Sequence, residues 1–278
     1  MNNNKRTLGM SDKARRYNIK GRTIIGAIAG DIIGSYYEYA GIKTTNFTLF
    51  RPESTFTDDT VLTIAIADAI LDKKDFKSSV LNYANEYPAE DYGGLFKGWM
   101  RSDNPQPYNS FGNGSGMRVS SIGFAYDTLD EVLKKAKESA EFTHNHPEGI
   151  KGAQAIASSI FLARTGASKE KIKEYVIKTF NYNLNFTLNE IRPTYRYDVT
   201  SQGSVPQSIV AFLESTDYES AIRLAISLGG DCDTIACMTG GIASAYYKDI
   251  PEEIIEFAIR LLPHHFIKII NAFDKKFS

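Results

Sequence analysis

The sequence predicts a single all-α domain, and three observations support this fold class. Apolar residues recur at helical spacing along most of the chain after residue 22, no segment alternates convincingly as a half-buried strand would, and no linker is long enough to separate two domains. A chain of 278 residues can bury one large core. We therefore predict one compact multi-helix domain over residues 23–278.

The first two helices have the clearest patterns. The apolar residues of the first share one helical face: Ile25, Ile28, Ala29, Ile32, Ile33 and Tyr36. Residues 61–71 are apolar almost all round, which predicts a buried central helix. Further helices are predicted near residues 76–87, 127–140, 148–164, 169–179, 205–214, 217–228, 232–247 and 252–262. Glycine- and proline-rich loops are predicted at 101–116 and 192–206, and residues 180–204 have the weakest pattern.

Composition and charge exclude several classes of protein. With 42% hydrophobic residues and a net charge of −1, the chain is neither disordered nor an evident nucleic-acid binder. No apolar run is long enough to span a membrane and no signal peptide follows Met1, so we predict a cytoplasmic protein. The two cysteines, Cys232 and Cys237, are spaced neither for a zinc motif nor to face each other on a helix, which predicts buried free thiols.

Residues 1–22 are predicted to be a basic extension outside the folded domain. They contain seven lysines and arginines and a single acid, Asp12, so the rest of the chain is acidic. Two interpretations stay open. The extension is either a flexible solubilising tail or an arm that docks on an acidic partner surface.

Two distant acidic clusters each precede an apolar helix. Both combine two carboxylates with a threonine hydroxyl: Thr57, Asp58 and Asp59 in the first, and Asp231, Asp233 and Thr234 in the second. Ordinary helix capping explains either cluster alone, because a cap needs one oxygen acceptor. It does not explain a doubled carboxylate that occurs twice. Clustered oxygen ligands suit hard divalent cations, so the sequence predicts a site for two metal ions built from both halves of the chain.

Small residues form a row along the first helix. Gly26, Gly30 and Gly34 lie four residues apart and Glu38 continues the row, with Asp31 nearby. Each glycine costs about 1 kcal/mol relative to alanine in a helix interior. The row therefore indicates either close packing of another backbone or room for a ligand, and both interpretations stay open.

Two further segments have the composition of binding loops. Residues 111–118 are rich in glycine and end in Arg118, so their backbone N–H groups could face phosphate oxygens. Residues 143–149 place His144 and His146 two apart, which is not the spacing of a helical zinc site. A structural alternative is that Pro147 simply begins the next helix.

Together these motifs resemble the ADP-ribosylglycohydrolase family, which includes dinitrogenase-reductase-activating glycohydrolase and the ADP-ribosyl-acceptor hydrolases. Five motifs occur in the family's order and span about residues 23–262: residues 26–38, 56–60, 112–118, 144–149 and 229–234. The resemblance implies an all-α fold with two divalent cations, Mg²⁺ or Mn²⁺, held by Thr57, Asp58, Asp59, Asp231, Asp233 and Thr234.

The resemblance also implies roles for other residues. The glycine-rich loop would bind pyrophosphate through Asn113, Gly114, Ser115, Gly116 and Met117. Phe111 would pack near the nucleotide, and His146 would lie beside the ribose or the phosphates. The proton needed by the leaving group would come from Glu38, Asp31 or a metal-site acid such as Asp233.

The expected activity is removal of ADP-ribose from a modified acceptor. ADP-ribosyl-arginine on protein is the expected substrate; O-linked, nucleic-acid-linked and free ADP-ribose derivatives stay open as alternatives. A different class of function is an immunity protein that blocks an ADP-ribosyltransferase, docked through residues 1–22. Neither a membrane nor nucleic acid is expected as a partner.

Overall fold

The computed structural model describes residues 23–278, whose backbone forms 15 helices and no β-strand. The helices are α1 (Ile25–Ala40), α2 (Asp58–Asp72), α3 (Phe76–Glu86), α4 (Gly94–Met100), α5 (Gly114–Met117), α6 (Ser120–Ala125), α7 (Leu129–Glu141), α8 (Pro147–Arg164), α9 (Lys169–Phe180), α10 (Leu188–Ile191), α11 (Ser201–Glu214), α12 (Tyr218–Ile226), α13 (Cys232–Tyr247), α14 (Glu252–Leu261) and α15 (His264–Phe277). This confirms the all-α prediction. The predicted basic extension, residues 1–22, lies outside the described residues, so its boundary stays a prediction.

Helices α1 and α13 pack against each other at the centre of the fold. The glycine row of α1 faces α13 along its length: a Cβ on Gly26 would lie 2.4 Å from the Ser244 Cβ, one on Gly30 2.2 Å from the Ala236 carbonyl oxygen, and one on Gly34 2.4 Å from the Asp233 Cα. The order of these contacts shows that the two helices are antiparallel. The glycine row therefore serves close backbone packing.

The predicted central helix is α2, which begins three residues earlier than its apolar run. Its residues from Asp59 to Ala67 are buried, because α1, α3, α6 and α15 surround it. Thr57 caps its first turn by accepting a hydrogen bond from the Asp59 N–H at 3.2 Å. The cap is therefore real, but the same turn also carries two carboxylates.

Helix α15 lies outside the helices predicted from sequence. Its apolar face buries Phe266, Ile267, Ile270 and Phe273. The Thr23 hydroxyl donates a hydrogen bond to Asp274, which joins the end of the chain to the start of α1. The sequence pattern did not predict this helix, because Pro263 and two histidines precede its apolar residues and are typical of an exposed terminal segment.

Several other sequence-based boundaries were wrong. The predicted loop 192–206 ends at Thr200, whose side chain caps α11, and Pro206 lies inside that helix without ending it. The short helices α4, α6 and α10 were not predicted, since fewer than two turns carry too little periodicity. Cys232 and Cys237 are buried free thiols, as predicted. Within residues 23–278, none of the helices has the length and apolarity that crossing a bilayer requires.

Replacing Gly30 by alanine should destabilise the protein, because the new Cβ would overlap the backbone of α13. Backbone atoms cannot move aside as a side-chain tip does, so we expect a loss of about 3 kcal/mol in the free energy of unfolding. The matched control is Gly98→Ala in α4, where no atom lies within 4 Å of the new Cβ. Urea unfolding of both variants checks this, and equal midpoints would contradict the packing role of the row.

Candidate functional site

A cavity of about 300 Å³ lies where the C-terminal end of α1 meets the N-terminal ends of α2 and α13. Both predicted acidic clusters reach it: Asp58, Asp59, Asp231, Asp233 and Thr234 are among its lining residues. Glu38 and part of the glycine-rich loop also line it. A second cavity of about 450 Å³ adjoins the first, since Glu38 and Asp91 line both. The fold thus brings together clusters that lie some 170 residues apart in sequence.

Asp31 lies behind this wall and fixes the start of α2. Its fully buried carboxylate accepts hydrogen bonds from the Thr57 N–H at 3.1 Å and the Thr57 hydroxyl at 2.8 Å. It accepts two more from the N–H and hydroxyl of Thr60. Asp31 lines neither cavity. The residue predicted as a candidate catalytic acid therefore acts in the structure as an anchor that joins α1 to α2.

The first acidic cluster is held in place by these contacts. Asp58 is partly exposed and faces the cavity, whereas Asp59 is buried. One oxygen of Asp59, Oδ2, accepts a hydrogen bond from the Thr234 hydroxyl at 3.1 Å, so the two clusters touch directly. The other, Oδ1, is buried and accepts no hydrogen bond within the described residues. A buried carboxylate oxygen without a donor is one that a cation can occupy.

The second cluster follows a turn that only glycine adopts easily. Gly229 and Gly230 both have positive φ angles, 64° and 72°, and Gly230 packs against the backbone of the segment that contains Tyr197. The turn directs Asp231 into the cavity, where its Oδ2 accepts a hydrogen bond from the Asn113 amide at 2.6 Å. Asp233 follows on α13, and its Oδ1 is also buried without a hydrogen-bond donor in the described part of the chain.

Burial raises the pKa of every carboxyl in this group, and repulsion from neighbouring carboxylates adds to the effect at Asp58, Asp59 and Asp233. The pKa of Asp31 is raised to about 6, mainly by burial, and that of Asp58 to about 8 by burial and by the charges of Asp31 and Asp231. The pKa values of Asp59 and Asp233 are raised well above the usual range for the same reasons. A site that penalises negative charge so strongly is one that positive charge would relieve.

The geometry fits a metal centre. One oxygen each from Asp31, Asp59 and Asp233 lie within 4.8 Å of one another, and so do oxygens from Glu38, Asp231 and Asp233. The donors are all oxygens, which hard divalent cations prefer. Within residues 23–278, the only lysine or arginine that lines either cavity is Arg118, and its guanidinium bonds to Ser139 and Thr143 rather than to a carboxylate. The aspartates of the two clusters can therefore hold a metal ion.

Glu38 continues the glycine row to the rim of the cavity. Its Oε1 accepts a hydrogen bond from the Tyr197 hydroxyl at 3.1 Å. Burial and the nearby charge of Asp231 raise its pKa to about 7. A carboxyl with this pKa exchanges its proton readily near neutral pH, which suits proton transfer.

The glycine-rich loop contributes only part of its length to the cavity. Asn113, Gly114 and Met117 line it, whereas Ser115 and Gly116 pack into the core. The Ser115 hydroxyl donates a hydrogen bond to the Gly149 carbonyl at 2.7 Å, and a Cβ on Gly116 would lie 3.0 Å from the Met238 sulfur. Two of the five loop residues predicted to contact substrate thus face away from the cavity.

Arg118, at the end of this loop, is completely buried. Its Nη2 donates hydrogen bonds to the Ser139 carbonyl at 2.7 Å and to the Thr143 hydroxyl at 2.9 Å, and its guanidinium stacks on Phe142. Burial lowers its pKa to about 10. Arg118 therefore fixes the 139–143 backbone as well as lining the cavity.

His144, rather than His146, lines the cavity. The buried His144 ring contacts the Thr143 hydroxyl through Nδ1 at 2.8 Å, and its Nε2 lies 3.2 Å from where a Cβ on Gly114 would be. Burial and Arg118 lower its pKa well below the usual value, so the imidazole is neutral at neutral pH. His146 instead caps α8 and packs its ring against the exposed Phe111, at 5.5 Å between ring centres. Which of the two histidines lines the cavity depends on the conformation of the loop, and the sequence pattern does not reveal that conformation.

The chain is similar in sequence and in fold to several known proteins. The ADP-ribosylglycohydrolase family profile matches residues 12–260. The chain is 28% identical to ADP-ribosylhydrolase ARH3 of Mus musculus, over 82% of this chain and 84% of that protein. It is 25% identical to ADP-ribosylarginine hydrolase Tri1 of Pseudomonas putida, over 84% and 72%. A solved ADP-ribosylglycohydrolase-related protein complex superimposes with a TM-score of 0.68 at 21% identity, covering 95% of this chain and 99% of that one.

Replacing Asn113 by alanine should weaken metal binding. Its amide donates to Asp231 at 2.6 Å and to the Ser204 hydroxyl at 3.0 Å, so its loss frees the Asp231 carboxylate to rotate. Losing a partner that orients a ligand typically costs roughly 10–100-fold in metal affinity. Calorimetric titration with Mn²⁺ checks this against Asn185→Ala, an exposed asparagine outside both cavities. Equal affinities in both variants would show that Asn113 does not orient Asp231.

Proposed function

The chain belongs to the ADP-ribosylglycohydrolase family, and we propose that it is a metal-dependent hydrolase that removes ADP-ribose from arginine side chains of modified proteins. Its similarity to named ADP-ribosylhydrolases supports hydrolysis of an ADP-ribosylated substrate. One observation carries the proposal. Two acidic clusters from opposite halves of the chain meet at a cavity, each with a buried carboxylate oxygen that no donor in residues 23–278 satisfies.

We assign the metal ligands from these clusters. Thr57, Asp58 and Asp59 would hold two Mg²⁺ or Mn²⁺ ions from one side, and Asp231, Asp233 and Thr234 would hold them from the other. The four aspartates carry four negative charges, which two divalent ions would balance. Bound there, the ions supply positive charge that orients the hydroxyls of the distal ribose and lowers the pKa of water.

The remaining cavity wall suits the ADP portion. Asn113 and Gly114 offer polar groups, and the neutral His144 has an Nε2 that can accept or donate one hydrogen bond. Phe111 is exposed beside this loop, where its ring can pack against the adenine base. The two ends of the cavity therefore differ. Carboxylates line the end formed by α1, α2 and α13, whereas small neutral groups and the buried Arg118 line the other end.

We assign proton handling to Glu38. Cleavage of the bond between C1 of the ribose and the acceptor builds positive charge on the sugar, and the departing nitrogen must receive a proton. Asp31 already accepts four hydrogen bonds and lines neither cavity, so it is poorly placed to deliver that proton. Asp233 is assigned to the metal ligands. Glu38 lies at the rim shared by both cavities, with a pKa of about 7.

Charge favours arginine as the acceptor. An ADP-ribosylated guanidinium keeps its positive charge, whereas a serine-linked O-glycoside has none. Beyond the assigned metal ligands, Glu38, Glu53 and Asp91 line the second cavity, and within the described chain no lysine or arginine does. The similarity to a protein named ADP-ribosylarginine hydrolase points the same way.

Hydrolysis should depend on Asp58 and on divalent metal. We expect the wild-type protein to release free ADP-ribose from an arginine-ADP-ribosylated protein with Mg²⁺ or Mn²⁺, and EDTA to abolish release. Asp58→Asn should lose more activity than the roughly 10–100-fold typical of an outer-sphere partner. The control, Asp72→Asn, changes an exposed aspartate at the other end of α2. Chromatography of released ADP-ribose provides the measurement.

The outcomes of this assay are distinct. Release that needs neither metal nor Asp58 would contradict the assigned centre. Release from a serine-linked substrate alone would contradict the arginine assignment while leaving the centre intact. Release of phosphate in place of ADP-ribose would indicate a phosphohydrolase.

Metal affinity should rise with pH between about 6 and 8. Among the proposed ligands, the pKa of Asp58 is raised to about 8 and those of Asp59 and Asp233 well above the usual range, and those of the neighbouring Asp31 and Glu38 are raised to about 6 and 7, so without metal the group retains protons near neutrality. Only the deprotonated carboxylate binds a cation, so binding must release those protons. Calorimetry with Mn²⁺ in two buffers of different ionisation enthalpy measures both effects. An affinity that is constant over this range, with no proton release, would contradict the proposed ligands.

A further inference from the structure

The large exposed apolar side chains of the described residues cluster at one place. Within residues 23–278 there are five of them, all at or beside the mouth of the two cavities: Tyr39, Leu95, Phe111, Tyr197 and Val199. Phe111 begins the glycine-rich loop, and the Val199 carbonyl accepts a hydrogen bond from the Asn113 N–H at 2.8 Å. Of the other three, Tyr39 bonds to Asp91, Tyr197 bonds to Glu38, and Leu95 lines the first cavity together with both carboxylates; we call Tyr39, Leu95 and Tyr197 the metal-end rim.

Hydrogen bonds hold the two tyrosine side chains of the metal-end rim. The Tyr39 hydroxyl donates a hydrogen bond to Asp91 at 2.7 Å, and the Tyr197 hydroxyl donates one to Glu38 at 3.1 Å. Both rings are thus tethered by their polar ends, with their faces free. Ordering such side chains on binding costs little entropy, because they are already held.

Leu95 is presented by a helix that is itself anchored. It lies in the first turn of α4, and 69% of its surface is exposed. The next residue, Phe96, is buried and stacks on Tyr92 at 5.1 Å between ring centres, and Trp99 packs against Phe96 at 5.2 Å. Phe96 and Trp99 therefore fix α4 to the core, and Leu95 points outward from it.

Such an apolar rim needs an occupant larger than ADP-ribose. Isolated surface leucines are ordinary, but an apolar cluster surrounded by polar groups marks an interaction site. The nucleotide and ribose would lie inside the cavity, and so leave the outer faces of the rim uncovered. A polypeptide that enters with its modified side chain would cover them.

The charge at this end specifies the chemistry of that polypeptide. Glu38, Asp91 and Glu53 line the second cavity beside the rim. Arg51 pairs with Glu53 at 3.3 Å, which leaves Glu38 and Asp91 with only tyrosine partners among the described residues. The surface is therefore apolar and acidic, which complements a segment that is basic around the modified residue.

We propose that the metal-end rim is the docking surface for the polypeptide that carries the ADP-ribosyl group, and that this polypeptide is basic beside the modification. The inference rests on the proposed hydrolase function. It adds that the enzyme recognises the protein acceptor directly, through Leu95 and the two tyrosine faces. Discrimination between protein-bound and free ADP-ribosyl-arginine would then be located in these three side chains.

The test compares two substrates in one set of variants. The kcat/KM values are measured on an arginine-ADP-ribosylated peptide flanked by lysines and on free ADP-ribosyl-arginine. For Leu95→Ser we expect the peptide-to-free ratio of kcat/KM to fall at least about tenfold, as for a residue central to an interface. The matched control is Val199→Ser, an equally simple change at the other end of the cavity, which should leave the ratio unchanged.

Two further measurements complete the test: one varies the charge of the peptide, and the other, called the binding arm, measures docking without catalysis. A glutamate-flanked peptide should be cleaved at least several-fold more slowly than the lysine-flanked one at low salt, and the difference should shrink at high salt. Fluorescence anisotropy of the labelled lysine-flanked peptide measures docking without catalysis. An unchanged ratio in Leu95→Ser, or equal cleavage of the two peptides, would overturn the proposal.

The binding arm separates this proposal from the proposed function. If the wild-type protein hydrolyses neither substrate yet binds the modified peptide in a Leu95-dependent manner, the docking surface stands and the arginine hydrolase activity is wrong. If it hydrolyses both substrates with no dependence on Leu95, the activity stands and the docking surface is wrong.

Discussion

The site depends on how closely the backbones of α1 and α13 approach. Gly26, Gly30 and Gly34 remove every side chain that would hold the two helices apart, and Gly34 lies directly against the Cα of Asp233. On another face of the same helix, Asp31 holds the first turn of α2 through Thr57 and Thr60. Helix α1 therefore positions both acidic clusters. Moving either neighbour would separate carboxylates that lie within a few ångströms of each other.

This arrangement places several carboxylates in the buried interior of the protein, where negative charge is most costly. Burying an isolated carboxylate is costly unless a partner compensates it, and repulsion between carboxylates adds to the cost. The Asp31 carboxylate accepts four hydrogen bonds, whereas one oxygen each on Asp59 and Asp233 accepts none from the part of the chain that the structure describes. The difference separates a structural carboxylate from those available to a ligand. It is visible only in the hydrogen bonds, since all three residues are equally acidic in sequence.

The sequence was informative about helices and about which short segments matter, because both leave local patterns. The glycine row and the doubled acids of residues 57–59 could be recognised without coordinates. The direction of each side chain could not. His144 and His146 differ by two residues in one loop, yet one lines the cavity and the other caps a helix. Asn113 likewise bonds to Asp231 through a contact between residues 118 positions apart, which no local pattern contains.

The pairing of α1 with α13 also orders events during synthesis. The hydroxyl of Ser244 on α13 donates a hydrogen bond to the Thr23 carbonyl across 221 positions, and that of Tyr218 on the preceding helix α12 donates one to the Gly26 carbonyl across 192. Helix α1 thus leaves the ribosome with its glycine groove and apolar face uncovered, and its partner follows only when most of the chain has been made. Contacts this distant in sequence form slowly, because a long loop must close first. Until then the nascent chain carries the first acidic cluster without the second, so an unfinished copy of this protein lacks the complete candidate site.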